Sequence, residues 1–292
     1  MPLCINDEPI PDALLEEEFQ VIKAQHERMG AVSCCERDPE FRDYARENVI
    51  ARVLLNQEAE RRHPAVEEAE VTSALAKIAE EAGGAAALCE RLGVTALDDP
   101  LLRQDVLSGL RLDKLLAEEW GADLTPDEET LRAFHRKHAE HFLTDERVRA
   151  LHIFKRVEKV EDRETTYQLL RSLRKRARAG EDFEQLALEH TDKEDKLVDL
   201  GYFKRGEFME EFDFIAFSLE TGELSPVFAS HWGFHLAKII GREERELKPH
   251  EEVAQEVLEL YRTEKKQQIT RALVNDLKSR AKIEQVGPNG DA

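Results

Sequence analysis

Two histidines within short apolar runs are the side chains best suited to chemistry. His152 lies in RALHIF and His235 lies in GFHLAKI. A neutral imidazole can donate a hydrogen bond through one nitrogen and accept one through the other, so two such rings could orient each other in one site. A single histidine in an apolar strand is more often a core residue than a catalyst. The role of each candidate therefore depends on its surroundings.

A second histidine pattern, HxxHxxH, places His135, His138 and His141 three residues apart, with Glu140 between the last two. Two of these rings could share a helix face and ligate zinc. Three-residue steps nevertheless spread the three rings around an α-helix, and the spacing fixes no acidic fourth ligand. We expect neither a metal nor another cofactor. Metal-dependent chemistry is kept as an alternative that elemental analysis would test.

The composition is that of an acidic, helix-rich globular protein. The 292 residues include 62 acidic and 42 basic side chains, which gives a formal net charge of −20. This charge argues against nucleic-acid partners, which require a clustered basic surface, and against an anionic membrane surface. No apolar run approaches the roughly 20 residues of a membrane span. The acidic surface favours polypeptide partners instead.

The N-terminus and the cysteines predict a cytoplasmic location. Met1 leads into PLCINDEPI, without the basic and apolar regions of a signal peptide. The four cysteines, of which Cys34 and Cys35 are adjacent, show neither CxxC nor zinc-site spacing, and we interpret them as reduced thiols. A sequence from which a signal peptide had been removed would look the same, so a periplasmic or exported protein is the alternative.

Helical periodicity dominates both ends of the chain. It predicts six helices up to His141, the third of them beginning at Pro64, and one long helix from Pro249 to about Lys282. At Val148 the period changes to the alternation of a strand. The apolar face of the last helix has no partner in the middle segment, so we expect it to fold back onto the N-terminal helices. The middle segment is predicted as β-α-α-β-α-β-β, over residues 148–154, 161–179, 183–189, 200–203, 209–219, 224–228 and 233–240.

This order predicts the α+β fold class, with helices packed on a mostly antiparallel sheet. A small α+β domain, residues 147–244, is expected to be inserted in a mostly helical domain. The helical domain comprises residues 1–142 and is completed by the C-terminal helix at 249–286. Residues 287–292 are predicted to form a disordered tail.

The segment 147–243 resembles the parvulin-type, PpiC-like peptidyl-prolyl cis/trans isomerases. The flanking stretches INDEPIPDALLEEE, LLNQEAERR and LTPDEETLRAFHRKHAEHF resemble the helical chaperone region of SurA- and PrsA-type foldases. Together these resemblances span nearly the whole chain. The matching pieces of the small domain, in order, are RALHIF, AGEDFEQLALEHT, DLGYFKRGEF, FDFIAFSLETGELSPV and GFHLAKI.

The resemblance implies a parvulin-like βααβαββ domain and assigns its site residues. His152 and His235 correspond to the histidines at the centre of the parvulin site, beside an apolar pocket for a proline ring. The loop HTDKEDKLVDLG is shorter than is usual, lacks one glycine of the common GGDLG, and places Asp192 or Lys193 where the family has Cys or Asp. Trp232 stands where the family often has Ser or Thr. The residues expected to bind substrate are Leu200, Phe208, Met209, Phe212 and Trp232, and those expected to be catalytic are His152, His235 and Asp192.

The implied function is cis/trans isomerisation of X–Pro bonds in unfolded or partly folded polypeptides that a helical region holds. The alternative is a non-catalytic chaperone or assembly factor on a parvulin scaffold, and it is motivated by the altered loop and by Trp232. If Trp232 fills the pocket, the chaperone is favoured. The length and layout are also compatible with the cytoplasmic accessory isomerase of nitrogen fixation, which matures the nitrogenase iron protein.

Overall fold

The computed structural model of the protein describes residues 3–28 and 37–285. The predictions for Cys34, Cys35 and the tail at 287–292 lie outside these residues. The chain divides into two compact units, one formed by Met1–Glu128 with Leu258–Ala292 and the other by Glu129–Val257. Among the described helices, none combines the length and the apolar character that a membrane span requires.

The first unit is mostly helical and has a small three-stranded sheet of order β2-β1-β7. The apolar face of the long C-terminal helix α10 packs in its core, because Leu277 lies among buried residues of β1 and α2. The C-terminal helix therefore packs against α2 within this unit. The elements are β1 (Leu3–Ile5), β2 (Glu8–Ile10), α1 (Asp12–Arg28), α2 (Asp38–Arg62), α3 (Glu68–Glu81), α4 (Ala85–Leu92), α5 (Pro100–Trp120), α10 (His250–Arg280) and β7 (Ile283–Gln285).

The three-stranded sheet joins the two ends of the described chain and was not predicted. Asn6 and Asp7 have φ values of 51° and 67°, which is the left-handed pair of a two-residue hairpin turn between β1 and β2. On the other side, β1 pairs antiparallel with β7. Leu3 and Ile5 are buried in the same core as Leu277. Each strand has only three residues, too few for alternation to stand out in the sequence.

One helix of this unit starts later than predicted. The sequence predicted a helix from Pro64, whereas α3 begins at Glu68. Glu67 has an extended backbone, and the carbonyl of Pro64 accepts a hydrogen bond of 2.8 Å from the guanidinium of Arg111. The carbonyl that would accept the first backbone hydrogen bond of a helix starting at Pro64 therefore accepts one from a side chain of α5 instead.

The second unit contains a four-stranded antiparallel sheet of order β4-β3-β6-β5, flanked by helices. The predicted α+β class and the order β-α-α-β-α-β-β are confirmed. The elements are α6 (Glu128–Lys137), β3 (Arg147–Arg156), α7 (Arg163–Arg178), α8 (Phe183–His190), β4 (Asp199–Lys204), α9 (Glu210–Ser218), β5 (Phe228–Ser230) and β6 (Gly233–Glu243).

Two elements of this unit differ from the prediction. The strand predicted at 224–228 lies at Phe228–Ser230, and Leu224 forms only an isolated bridge with Lys238. Pro226 lies between Leu224 and Phe228 and has no N–H to donate, so it removes one hydrogen-bond donor from this edge of the sheet. The helix predicted to reach His141 ends at Lys137 and is followed by a 3-10 turn at Ala139–His141.

The sheet is covered on both faces, which places the two histidines. Leu151 and Ile153 of β3 pack with α7 and α8 on one face. Val148 and Ala150 pack with α9 on the other face. Because side chains alternate along a strand, His152 follows Ala150 onto the α9 face. The histidines are thereby directed towards the aromatic side chains around α9.

The chain enters and leaves the sheet region through paired segments. Thr144 N–H donates a hydrogen bond of 2.8 Å to Glu246 O, and Lys248 N–H donates one of 2.9 Å to Phe142 O. Leu143 and Leu247 form an antiparallel bridge between them. The two chain segments that flank the sheet region therefore lie side by side.

Candidate active site

His152 and His235 meet on the two central strands of the sheet. In the antiparallel register His152 lies opposite Ala237, and His235 lies opposite Phe154. The histidines are therefore diagonal neighbours on one face, close enough for their long side chains to touch. A hydrogen bond of 2.9 Å joins His152 Nε2 and His235 Nδ1, and the ring planes differ by only 7°. The two candidates thus form one unit.

Both rings are buried, and burial keeps them neutral. His152 is 6% exposed and His235 is 2% exposed. Burial holds the pKa of His152 well below its usual 6.5. Repulsion from Lys193, and from His235 when that ring is protonated, acts in the same direction. Burial also lowers the pKa of His235, to about 4, although the nearby Glu211 carboxylate opposes the shift. At neutral pH each imidazole therefore has one N–H donor and one nitrogen lone pair that can accept.

Ser230 continues the hydrogen-bonded chain beyond the two histidines. Its Oγ lies 2.6 Å from His235 Nε2, and it accepts a hydrogen bond of 3.1 Å from the backbone N–H of Trp232. When the hydroxyl donates to Nε2, the proton of His235 sits on Nδ1 and is directed to His152. The turn between β5 and β6 therefore fixes the orientation of both rings.

Aromatic side chains surround the histidine pair. The ring of Phe212 lies edge-on to His152 at 5.0 Å, and the rings of Phe154 and Phe228 stack on His235 at 5.1 and 5.2 Å. Phe212 is 2% exposed. Stacked and edge-on rings at these distances attract one another and leave no room for water between them. The pair is thus held in an apolar, dry environment.

A loop between β4 and α9 carries the outer part of the apolar surface. Phe208 is 37% exposed and lies edge-on to Phe203 at 4.7 Å. Met209 follows it and immediately precedes α9. The buried carboxylate of Asp213 accepts a hydrogen bond of 2.5 Å from the N–H of Gly206. This contact ties the loop to the helix and so positions Phe208.

The loop after α8 is anchored to the end of β3. Asp192 N–H donates to Phe154 O at 2.8 Å, and the Asp192 carboxylate accepts from Arg156 N–H at 3.0 Å and pairs with Lys155. Its two oxygens are therefore occupied by β3. The charge that reaches both histidines from this loop is that of Lys193. Asp192, predicted to be catalytic, has contacts that suit it to positioning the loop.

Every predicted site residue lines one cavity of about 540 Å³. Trp232 lies at this cavity with 62% of its surface exposed, so its indole does not fill the space. The condition that would have favoured a non-catalytic chaperone is therefore not met. The lining consists of His152, Phe154, Arg156, Asp192, Lys193, Glu194, Asp195, Leu200, Phe208, Met209, Phe212, Trp232 and His235.

The comparison with protein families agrees with this geometry. The family model described as the rotamase, PPIC-type PPIASE domain matches residues 152–241, from the first histidine of the pair to near the end of β6. Residues 152–241 are a PPIC-type rotamase domain. The resemblance to parvulin-type isomerases is confirmed.

The sequence similarity to known proteins extends beyond the rotamase domain into the helical unit. The chain is 28% identical over 297 residues to the foldase protein PrsA of Caldanaerobacter subterraneus subsp. tengcongensis, covering 98% of this chain and 87% of the relative. It is 31% identical over 178 residues to the foldase protein PrsA of Halalkalibacterium halodurans, covering 58% of this chain and 49% of the relative.

Among solved structures, one is described with the SurA-like chaperones PEB4 and Cj1289 of Campylobacter jejuni. It is 14% identical to this chain, covers 98% of it and 99% of its own length, and superposes with a TM-score of 0.46.

Several residues of the rotamase domain that shape the site were missed in the sequence. The hydroxyl that contacts His235 belongs to Ser230, two residues before Trp232, where the resemblance had directed attention. Phe228 and Ser230 lie two residues apart before a turn, which is the spacing of one strand face, and this signal could have found them. Asp213 gave no signal, because a carboxylate in the first turns of a helix is common on solvated faces.

The buried histidines of the rotamase domain predict an acid sensitivity. An unfolded chain protonates histidine near pH 6.5, whereas His235 in the folded chain does so near pH 4. Between these values the unfolded state binds more protons, so the free energy of unfolding falls as the pH falls. We expect a loss of roughly 2 kcal/mol from His235 between pH 7 and pH 5.

This loss is measured by urea unfolding at the two pH values. His235→Gln should remove that part of the difference. NMR titration of the ring nitrogens checks the cause directly, and a His235 that titrates near pH 6.5 would contradict the prediction.

Proposed function

We propose that the protein is a peptidyl-prolyl cis/trans isomerase that acts as a foldase on polypeptide clients. The observation that carries this proposal is an open apolar cavity lined by a buried, neutral and mutually hydrogen-bonded pair, His152 and His235. The family match to the rotamase domain and the relatives named foldase protein PrsA support it.

The cavity supplies what rotation about an X–Pro bond requires. The barrier is about 20 kcal/mol because amide resonance is lost as the bond twists, and no covalent bond needs to break. Phe208, Met209 and Phe212 would hold the proline ring by apolar contact. With the ring fixed, the preceding carbonyl can turn while the remainder of the peptide follows. An enzyme gains rate when it binds this twisted arrangement more tightly than the planar one.

The histidine pair would contribute as fixed dipoles. Both imidazoles are neutral at working pH, so they can act without giving up or taking a proton. Their orientation is set by Ser230 and by the surrounding rings, so it needs no rearrangement when the bond twists. Preorganised dipoles in a dry site stabilise a changing charge distribution more than water does. We therefore assign His152 and His235 to stabilising the twisted state, and Asp192 to holding the adjacent loop.

Polypeptides are the clients that foldase relatives imply, and proline-containing segments are the part that the cavity would select. We propose that the helical region, predicted as residues 1–142 completed by 249–286, holds the client while the cavity acts on its X–Pro bonds. The predicted cytoplasmic location is not supported, because PrsA and SurA proteins are extracellular or periplasmic foldases. The exported alternative fits these relatives. The assignment to nitrogen fixation stays a prediction.

Exchange NMR on a proline-containing peptide tests this function without a coupling protease. The uncatalysed interconversion takes tens to hundreds of seconds, so the folded full-length protein should bring cis and trans signals into exchange within the mixing time. A folded sample that leaves the exchange rate unchanged would reject the isomerase. Suppression of client aggregation by that same sample would then support the non-catalytic chaperone.

A further inference from the structure

The segment between α6 and β3 brings together three side chains that belong to neither core. After α6 ends, His141 N–H donates a hydrogen bond of 3.0 Å to His138 O, which is the i to i+3 bond of a 3-10 turn. Side chains three residues apart eclipse in such a turn, whereas they diverge around an α-helix. The turn therefore places His138 and His141 on one side, with Glu140 between them in sequence.

The ligand atoms of these three residues converge. One nitrogen of each histidine and one oxygen of Glu140 all lie within 4.8 Å of one another. His138 is half-buried and stacks on Phe134 at a ring distance of 4.1 Å, while Glu140 and His141 are exposed. Within residues 3–28 and 37–285, no other group of three such side chains converges in this way.

The remaining histidine of the HxxHxxH pattern is separate from this group. His135 is buried, and its ring lies edge-on to His250 at 5.5 Å and tilted against Phe142 at 5.1 Å. The pattern is therefore divided between a buried residue, His135, and a pair in which His138 is half-buried and His141 is exposed. The objection that three residues cannot share one helix face does not apply to His138 and His141, because the helix has ended before them.

We propose that His138, Glu140 and His141 form a binding site for a divalent transition-metal ion such as Zn²⁺. Two imidazoles and one carboxylate are a common zinc ligand set, and water would complete the coordination. Ligand atoms around one tetrahedral ion at about 2.1 Å stand about 3.4 Å apart. Because Glu140 and His141 are exposed, rotation of their side chains can shorten the present separations. Mg²⁺ and Ca²⁺ prefer all-oxygen ligand sets and are not expected to compete.

The site would act on structure and not on isomerisation. None of its ligands lines the cavity of the rotamase domain. An ion there would tie the 3-10 turn at Ala139–His141 to His138, the residue that directly follows α6. Because only three protein ligands hold the ion and two of them are exposed, its occupancy would follow the concentration of free metal.

Isothermal titration of the full chain with ZnCl₂ tests the site. The titration is run with Cys4→Ser, Cys34→Ser, Cys35→Ser and Cys89→Ser in the background, so that thiol ligands do not contribute. We expect one equivalent to bind, and His141→Ala or Glu140→Gln to weaken it by about tenfold or more, since loss of even an outer partner of a ligand costs as much. His190→Ala is the matched control, because His190 also lies beside a glutamate, with Nε2 at 3.9 Å from Glu189.

Three results would overturn the proposal. They are the absence of saturable binding, an unchanged affinity in His141→Ala, and an equal loss in His190→Ala. Nitrogen hyperfine structure in the EPR spectrum of the Cu²⁺ form gives an independent reading. Two coordinated imidazoles are expected in the parent and one in His141→Ala, and a spectrum that the substitution leaves unchanged would also overturn it.

Discussion

Phe208→Ala is expected to lower kcat/KM for X–Pro isomerisation by about ten- to a hundredfold. Phe208 presents 37% of its surface and forms the outer part of the cavity. Burying an aromatic ring of this size against a ligand contributes roughly 1.5–3 kcal/mol, and each 1.4 kcal/mol corresponds to a factor of ten. The fold should tolerate the change, because the side chain is not part of the fully buried core.

Phe214→Ala is the matched control for this experiment. Phe214 is a neighbouring phenylalanine on α9, is 72% exposed, and does not line the cavity. Steady-state exchange rates should therefore match those of the parent protein. Equal losses in the two variants would show that the effect arises from the stability of the α9 region. Full activity in Phe208→Ala would contradict the assignment of the proline pocket.

Gly233→Ala should destabilise the rotamase domain by about 3 kcal/mol or more and abolish its activity. A Cβ at this position would overlap the carbonyl oxygen of Lys155 and lie 3.1 Å from Arg156 Cα. Gly233 pairs with Arg156 where β6 begins, directly after the turn that carries Ser230. Backbone atoms cannot rotate aside as a side chain can, so the strand or the turn must move.

Gly241→Ala, on the same strand, is the comparison that isolates this cause. Its Cβ would meet the hydroxyl of Tyr202 at 2.6 Å, and that contact is the end of a side chain. Tyr202 can turn away, so a much smaller loss is expected. Urea unfolding followed by circular dichroism gives the two free energies. If both variants lose the same free energy of unfolding, contact with the Lys155 backbone is not the reason that position 233 must be glycine.

The sequence allowed the fold of the rotamase domain and most of its cavity to be predicted. Alternation placed His152 on one strand face, and the resemblance paired it with His235 and the apolar residues. The register between β3 and β6 is a property of the folded sheet, so the 2.9 Å contact between the rings could not be read from spacing. The contribution of Ser230 depends on the same register.

The other predictions failed where the structure depends on contacts that the local sequence pattern does not reveal. The sheet that joins β1 to β7 has strands of three residues, and its pairing spans almost the whole chain. The end of α6 depends on where the chain turns towards β3, and helix ends are set by packing as much as by propensity. The convergence of His138 with His141 follows from that end, and a helical reading of the sequence therefore hides it.

The paired segments around Leu143 and Leu247 would allow the segment that contains the rotamase domain to be gained or lost as one unit during evolution. A cut on both sides of this ladder releases a segment whose two ends are already adjacent, so a connection of a few residues can replace it. One recombination event at this place can remove, exchange or duplicate the isomerase without lengthening the path of the host chain.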